Sequence, residues 1–203
     1  MKLQSLSSCG DIAVSVYSGW LAYSTFDHEW VKHQIEDTTV EEVLIKNWPG
    51  LHIEPLQAPE NMEVLIGWTG SPASSPHFVS EVKRLKSDPS FYGDFLEDSH
   101  HCVEKLIHAF KTNNIKGVQK MVRQNRTIIQ RMDKEATVDI ETEKLKYLCD
   151  IAEKYHGASK TSGAGGGDCG ITIINKDVDK EKIYDEWTKH GIKPLKFNIY
   201  HGQ

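Results

Sequence analysis

The chain has 203 residues, of which 38% are hydrophobic and 26% charged, and its formal net charge is −5. This composition is typical of a globular protein with one large domain or two small ones, and the negative charge argues against general affinity for nucleic acid. No stretch approaches the ~18 apolar residues of a membrane span, and the first five residues lack the apolar core of a signal peptide, so we expect a cytoplasmic location.

The first sixty residues predict short elements. An apolar run from Ile12 to Ser24 is interrupted by Gly19, which predicts a short helix followed by a strand. Thr39 and Glu42 form a capping box that opens a second short helix, and Pro49-Gly50 is expected to end it. Because this part is too short to bury a good core alone, we place a boundary that divides the chain into residues 1–60 and 61–203.

The second part alternates strands and helices. Residues 62–68 predict a buried strand, and apolar residues at helical spacing predict three helices with breaks at Asn113-Asn114 and Asp139. A strand over residues 171–174 follows. Asp177 is expected to cap a last helix that ends at Gly191, and alternation from Leu195 to Ile199 predicts a half-buried final strand. This order indicates an α+β domain.

A glycine-rich run precedes the strand over residues 171–174. The run from Lys160 to Gly170 reads Lys-Thr-Ser-Gly-Ala-Gly-Gly-Gly-Asp-Cys-Gly. Glycine allows a ligand to approach the main chain closely, and successive N–H groups in such a loop suit phosphate oxygens. A flexible linker is the alternative, which we disfavour because the run is bounded by a strand on one side and a helix-like segment on the other. It matches neither the P-loop nor the dinucleotide pattern.

Two further segments are candidates for chemistry. Asp11 follows a small-residue turn and falls in the first turn of the predicted helix, where it either faces a site or simply caps the helix; the local pattern favours capping. The stretch from Trp68 to His77 leads from a strand into a predicted helix with Ser75 as its N-cap, which suits an anion site or an ordinary connection equally.

Metal and redox sites are not indicated. The four cysteines form no Cys-x-x-Cys pair, which favours free thiols over a disulfide framework or a structural zinc site. His101 and His108 share a helical face, but no acidic or cysteine pattern completes a site around them. The basic residues near Lys83 fit a solvated face better than a nucleic-acid patch.

Taken together, the glycine-rich run, the Gly10-Asp11-Ile12-Ala13 segment and the Gly67-Trp68-Thr69-Gly70 segment resemble the GHMP kinases, in the same order and over essentially the whole chain. The form of the glycine-rich run is most similar to the bacterial phosphomevalonate kinase branch of that family. The resemblance implies an α+β fold: the tail of the family's N-terminal domain followed by a ferredoxin-like C-terminal domain.

The resemblance also implies an activity and site residues. The reaction would transfer the γ-phosphoryl group of ATP, with Mg²⁺, to the phosphate of 5-phosphomevalonate, a step in isoprenoid synthesis. Asp11 would be the catalytic residue, orienting the acceptor or positioning a Lys or Mg²⁺. The loop lining phosphoryl transfer would comprise Ser162, Gly163, Ala164, Gly165, Gly166, Gly167 and Asp168. The phosphorylated small-molecule substrate would contact Ser8, Gly10, Thr69, Ser71, Ser74 and Ser75. No metal ligand is assigned within the chain.

The sequence also departs from the family. The ATP-phosphate motif Pro-x-x-x-Gly-Leu-Gly-Ser-Ser, which in these kinases lies upstream of the Asp segment, is not present in the 203 residues. We therefore expect the chain to be the C-terminal portion of a longer kinase, inactive by itself. The alternative is a non-catalytic half-site or interaction module derived from such a kinase. The oligomeric state is left open.

Overall fold

The structure is a computed structural model that describes residues 8–72, 89–163 and 165–200. Contacts divide it into two compact units. The first unit runs to Gln57 and includes the residues from Asn198 onward, and the second unit is Ala58–Phe197. Among the described residues, no helix is both long and apolar enough to cross a membrane.

The first unit contains three helices and a two-stranded sheet in its described part. In chain order these are α1 (Gly10–Tyr17), β1 (Trp20–Ser24), α2 (His28–Asp37), α3 (Val40–Leu44) and β2 (His52–Leu56). Strands β1 and β2 pair antiparallel, with Trp20 opposite Leu56. The helix-to-strand break at Gly19 is confirmed, whereas α2 and β2 were not predicted.

Local hydrogen bonds explain where the short helices begin and end. The capping box is confirmed, since the Thr39 hydroxyl accepts the N–H of Glu42 at 3.3 Å while the Glu42 carboxylate accepts the N–H of Thr39 at 3.2 Å. Helix α3 ends at Leu44, before the expected stop at Pro49-Gly50. The Trp48 indole donates to the Val43 carbonyl at 2.8 Å, which satisfies an acceptor that a longer helix would have used.

The second unit is built on a four-stranded antiparallel sheet. Its elements are β3 (Met62–Trp68), α4 (Pro89–Lys111), α5 (Ile115–Ala136), α6 (Glu143–Lys154), β4 (Ala158–Thr161), β5 (Cys169–Asn175), α7 (Lys180–Lys189) and β6 (Lys193–Leu195). The strand order is β4-β5-β3-β6. If α4 to α6 are taken together as one helical connection, the order is β-α-β-β-α-β, which confirms the expected α+β, ferredoxin-like architecture.

The core of the second unit lies where α6 and α7 meet the sheet. Leu148, Trp187 and Ile192 are at most 1% exposed, and the Trp187 indole donates to the Leu148 carbonyl at 3.0 Å. Gly67 and Gly170 are cross-strand partners, and a β-carbon at either would lie 2.7 Å from Leu148. Both glycines therefore serve the close approach of α6 to the sheet.

Three expectations for this unit need correction. Strand β4, rather than a helix-like segment, precedes the glycine-rich run, so the run joins two antiparallel strands. The N-cap of α7 is Asp179 instead of Asp177, because the chain first makes a turn in which the Val178 N–H donates to the Asn175 carbonyl at 3.0 Å. The final strand ends at Leu195, and β6 pairs with β3 only from Lys193 to Leu195.

Candidate functional site

The glycine loop, defined here as residues 162–168, connects β4 to β5. Its base is closed by the Ser162 N–H, which donates to the Cys169 carbonyl at 2.9 Å. Ser162, Gly163 and Asp168 are exposed, whereas Gly165 and Gly167 are buried. Ala164 lies outside the described residues. The loop therefore presents only part of itself to solvent, and the remainder is held by neighbouring segments.

One neighbour of the glycine loop is the turn that follows β3. The Thr69 N–H donates to the Asp168 carbonyl at 2.8 Å, and the Asp168 N–H donates to the Ser71 carbonyl at 2.6 Å. A β-carbon at Gly167 would lie 2.9 Å from the Ser71 oxygen. The Lys144 ammonium donates to the Thr69 carbonyl at 2.9 Å, which brings a positive charge to the same turn.

The other neighbour is the turn between α5 and α6. The Gly166 N–H donates to the carbonyl of Ile140 at 2.7 Å. Gly165 has a φ of +78°, and a β-carbon there would overlap both the side chain and the carbonyl oxygen of Ile140. The glycine at position 165 is thus required by backbone conformation and by contact with protein, whatever ligand the loop binds.

These contacts determine which loop N–H groups remain available. Those of Ser162, Gly166 and Asp168 are bonded within the protein. Within the part of the chain that the structure describes, the N–H of the exposed Gly163 has no partner. The exposed arm that can meet a ligand comprises Ser162, Gly163 and Asp168, and Asp168 adds an acidic side chain to it.

Buried polar residues lie beneath the loop. Ser159 and Thr172 share a hydrogen bond of 2.6 Å in the interior. Burial raises the pKa of the Cys149 thiol to about 12, so this cysteine is held neutral and unreactive. Lys160 donates to the Thr161 carbonyl at 2.6 Å, and burial lowers the pKa of its amine. No group of three potential metal ligands occurs among residues 8–72, 89–163 and 165–200.

Asp11 lies in the first unit, in the first turn of α1, and its side chain is exposed. The N-cap position belongs to Cys9, which makes no side-chain cap hydrogen bond. The Gly10 N–H instead donates to the Ser8 hydroxyl at 3.4 Å, and the Ser8 carbonyl accepts the Thr25 hydroxyl at 3.1 Å. Asp11 is therefore not the residue that caps α1, and its carboxylate faces solvent rather than core.

The predicted substrate-binding residues fall into four groups. Ser71 is exposed beside the glycine loop. Thr69 is only 1% exposed, and its hydroxyl has no hydrogen-bond partner within the described segments. Ser8 and Gly10 belong to the first unit, and Ser74 and Ser75 lie outside the described residues.

Sequence reasoning missed the residues that hold the loop through the turn between α5 and α6. Ile140 acts through its carbonyl group, which every residue type possesses, so no sequence pattern marks it. Asp133 accepts the N–H groups of Ile140 and Glu141 at 3.0 and 3.1 Å, yet in the sequence it resembles any polar residue on a helix face. Only Asp139 was noted in this segment, as a break between helices, and that break is confirmed.

Comparison with known proteins connects these features to a group of enzymes. A family profile described as "GHMP kinases C terminal" matches residues 106–193. A phosphomevalonate kinase from Streptomyces sp. (strain CL190) is 34% identical over 197 residues, an alignment that covers 96% of this chain and 53% of that kinase.

Solved structures with a similar fold agree with this family assignment. A Lin0012 protein from Listeria innocua superposes with a TM-score of 0.89 and 41% identity, covering 95% of this chain and 54% of the other. A Streptococcus pneumoniae phosphomevalonate kinase in complex with phosphomevalonate and AMPPNP has a TM-score of 0.82 and 27% identity, covering 94% and 55%. The chain thus spans about half the length of the relatives it matches.

Proposed function

The chain belongs to the GHMP kinase family, and we propose that it forms the C-terminal part of a phosphomevalonate kinase. The reaction is transfer of the γ-phosphoryl group of ATP to the phosphate of 5-phosphomevalonate, giving the diphosphate and ADP. The observation that carries the proposal is the 34% identity to the Streptomyces kinase across nearly the whole chain. We also propose a cytoplasmic location, with the division into residues 1–60 and 61–203 as the family's domain boundary.

The glycine loop supplies positioning to this reaction. Phosphoryl transfer depends on alignment of the reacting oxygens and on stabilisation of charge rather than on covalent catalysis by the protein. The exposed arm offers the Gly163 N–H and the Ser162 hydroxyl to phosphate oxygens. Two turns hold the loop from Gly165 to Asp168, which limits how far the chain beside these donors can move. Donors that are oriented before the reaction are the condition for effective electrostatic stabilisation.

Asp11 orients the acceptor or a cation rather than acting as a strong general base. The acceptor is a phosphate whose second pKa is about 6, so it is already largely anionic near neutrality. A carboxylate on an exposed helix turn is suited to this orienting role. We propose ATP with Mg²⁺ as the phosphoryl donor, and no step here depends on where the metal ion is held.

Substrate contacts follow the same division of the chain. We propose that Ser71, beside the glycine loop, and Ser74 and Ser75 after it contact the acceptor phosphate. Ser8 and Gly10 are proposed to contact the substrate from the first unit. Thr69 serves mainly through its main chain, because its N–H and carbonyl bind Asp168 and Lys144 while its side chain is buried.

A second candidate is a non-catalytic half-site that binds phosphomevalonate without turnover. On either reading we expect the 203-residue polypeptide by itself to lack measurable kinase activity.

Two measurements on the purified chain test the function. Phosphomevalonate should raise the melting temperature, whereas mevalonate, which lacks the phosphate, should not. A coupled ADP-release assay with ATP and phosphomevalonate should show no turnover. No shift with phosphomevalonate would contradict both candidates, and turnover near 1 s⁻¹, within the ordinary enzyme range, would contradict the expected inactivity of the isolated chain.

A further inference from the structure

The turn that receives the glycine loop is itself held by side chains of α5. The Asp133 carboxylate accepts the N–H of Ile140 at 3.0 Å with one oxygen and that of Glu141 at 3.1 Å with the other. These two bonds fix the peptide groups on either side of Ile140. The direction of the Ile140 carbonyl is therefore set by a residue of the preceding helix.

A second set of contacts holds the same turn through Glu141. The Arg126 guanidinium donates to both carboxylate oxygens of Glu141, at 2.8 and 2.6 Å, and also to Asp150 at 2.8 Å. The side chains of Arg126 and Glu141 are 13% and 4% exposed. Burial alone would lower the pKa of Arg126, but its hydrogen bonds to Glu141 raise that pKa above the ordinary value, so the guanidinium remains charged.

A buried ion pair of this kind is better explained by specificity of geometry than by stability. Desolvating two charges costs about as much as their attraction returns, and apolar residues of similar size often replace such pairs without loss of stability. A bidentate Arg–carboxylate pair does impose direction, because both partners are planar and meet in one orientation. Here the orientation of the Arg126–Glu141 pair fixes the turn whose Ile140 carbonyl accepts the Gly166 N–H.

We propose that Asp133 and the Arg126–Glu141 pair are positioning residues for the glycine loop. They hold the Ile140 carbonyl where the Gly166 N–H must meet it, and so they determine the course of the chain from Gly165 to Asp168. Asp133 acts on the loop through the Ile140 turn, and Arg126 acts on the same turn through Glu141. The role in catalysis rests on the proposed function, whereas the effect on the conformation of the loop does not.

The first arm of the test measures amide hydrogen exchange by NMR on the ligand-free 203-residue chain. In Asp133→Ala the Gly166 N–H should exchange at least about 10-fold faster, whereas the Ile173 N–H in β5 should keep its protection. Asp133→Asn, which keeps one acceptor oxygen, should lie between Asp133→Ala and the wild type. Asp98→Ala is the matched control, because it removes an exposed carboxylate that pairs with Arg131 of α5.

Unchanged exchange at Gly166 would overturn the proposal, because it would show that Asp133 and the loop are not coupled. Equal acceleration at Gly166 and Ile173 would also overturn it, because it would show only a general loss of stability. If Asp133→Ala does not fold, Glu141→Gln is measured against the same criteria. The second arm repeats the phosphomevalonate melting shift, which Asp133→Ala should lose and Asp98→Ala should keep. No shift in the wild type would contradict the proposed function, while the exchange result would still decide the positioning role.

Discussion

The two units of the chain differ in how completely they bury their large apolar side chains. In the second unit, helices α6 and α7 bury Leu148, Trp187 and Ile183 completely against the sheet. In the first unit, α1 exposes its large apolar residues and buries only Ala13. The exposed fractions of these residues are 60% for Ile12, 47% for Val14, 71% for Val16 and 51% for Tyr17.

This difference predicts that stability and catalysis depend on different parts of the chain. A helix that is apolar on all sides is typical of a protein interior, and a two-stranded sheet is marginally stable by itself. The second unit, with four paired strands and a closed core, has the features of an independently stable domain. The first unit contributes Asp11 on an exposed turn but little core, so we expect its substitutions to affect activity more than stability.

The largest effect should come from the core of the second unit. Trp187→Ala should lower the free energy of unfolding by about 3–5 kcal/mol, because it deletes a fully buried ring and its hydrogen bond to Leu148. Phe26→Ala, which removes the ring contact with Trp48 in the first unit, should cost clearly less. Urea unfolding measures both. Equal losses would show that the first unit is as firmly packed as the second.

The next effect is on catalysis and lies in the first unit. In a polypeptide that contains this chain and turns over phosphomevalonate, Asp11→Asn should lower kcat at least about 100-fold, equivalent to about 2.7 kcal/mol of barrier. The melting temperature should stay the same, since the side chain is exposed.

Glu41→Gln is the control for Asp11→Asn, because Glu41 is also an exposed acid in the first turn of a helix in that unit. It should leave kcat unchanged. A near-normal kcat for Asp11→Asn would remove Asp11 from the mechanism and leave it as a first-turn helix charge.

A smaller effect compares two glycines of the same loop. Gly165→Ala should destabilise the second unit by about 1–3 kcal/mol, because the new methyl group overlaps Ile140 and the positive φ is unfavourable. Gly163→Ala should change stability by less than about 0.5 kcal/mol, since no atom of the described residues beyond its chain neighbours lies within 4 Å of the added β-carbon. Thermal unfolding of both variants tests whether the loop is packed tightly against Ile140 or is flexible. Equal melting temperatures would favour a flexible linker.

The sequence predicted elements whose signal is carried by side-chain periodicity. The helices over α4, α5 and α6 and the strands β3 and β5 were expected from their apolar spacing and are confirmed. Strand β4 was missed because it is only four residues long and contains Lys160. Strand β2 was missed because Pro55 lies within it, and proline counts against a strand in sequence.

The candidate site was predictable only where residues of unusual type mark it. Five glycines near an aspartate identified the loop, but not that its interior glycines serve contact with Ile140 and Ser71. Those contacts involve backbone carbonyls from segments distant in sequence, which carry no residue signature. The hydrogen bonds by which Asp133 holds the Ile140 turn also have no sequence signature, since an aspartate on an amphipathic helix is ordinarily a solvated residue.

The smallest expected effect concerns the pH dependence of stability at Lys160. Burial lowers the pKa of its amine in the folded chain, whereas in the unfolded chain the value is about 10.4. Between its folded and unfolded pKa values this amine binds more protons in the unfolded chain, so its contribution to stability rises with pH across that window. Lys160→Met removes the charge but keeps an unbranched side chain. It should therefore be more stable than the wild type near pH 7, and the difference should shrink as the pH approaches 10.

Urea unfolding at a series of pH values measures this difference between Lys160→Met and the wild type. Lys134→Met, at an exposed position on α5, controls for the loss of one positive charge. Burial raises the pKa of the Cys149 and Cys102 thiols, but both chains contain them, so their own contribution to the pH dependence cancels in the difference. A difference that stays constant with pH would show that Lys160 remains fully solvated and charged, and that the base of the glycine loop is open to water rather than part of the buried interior of the second unit.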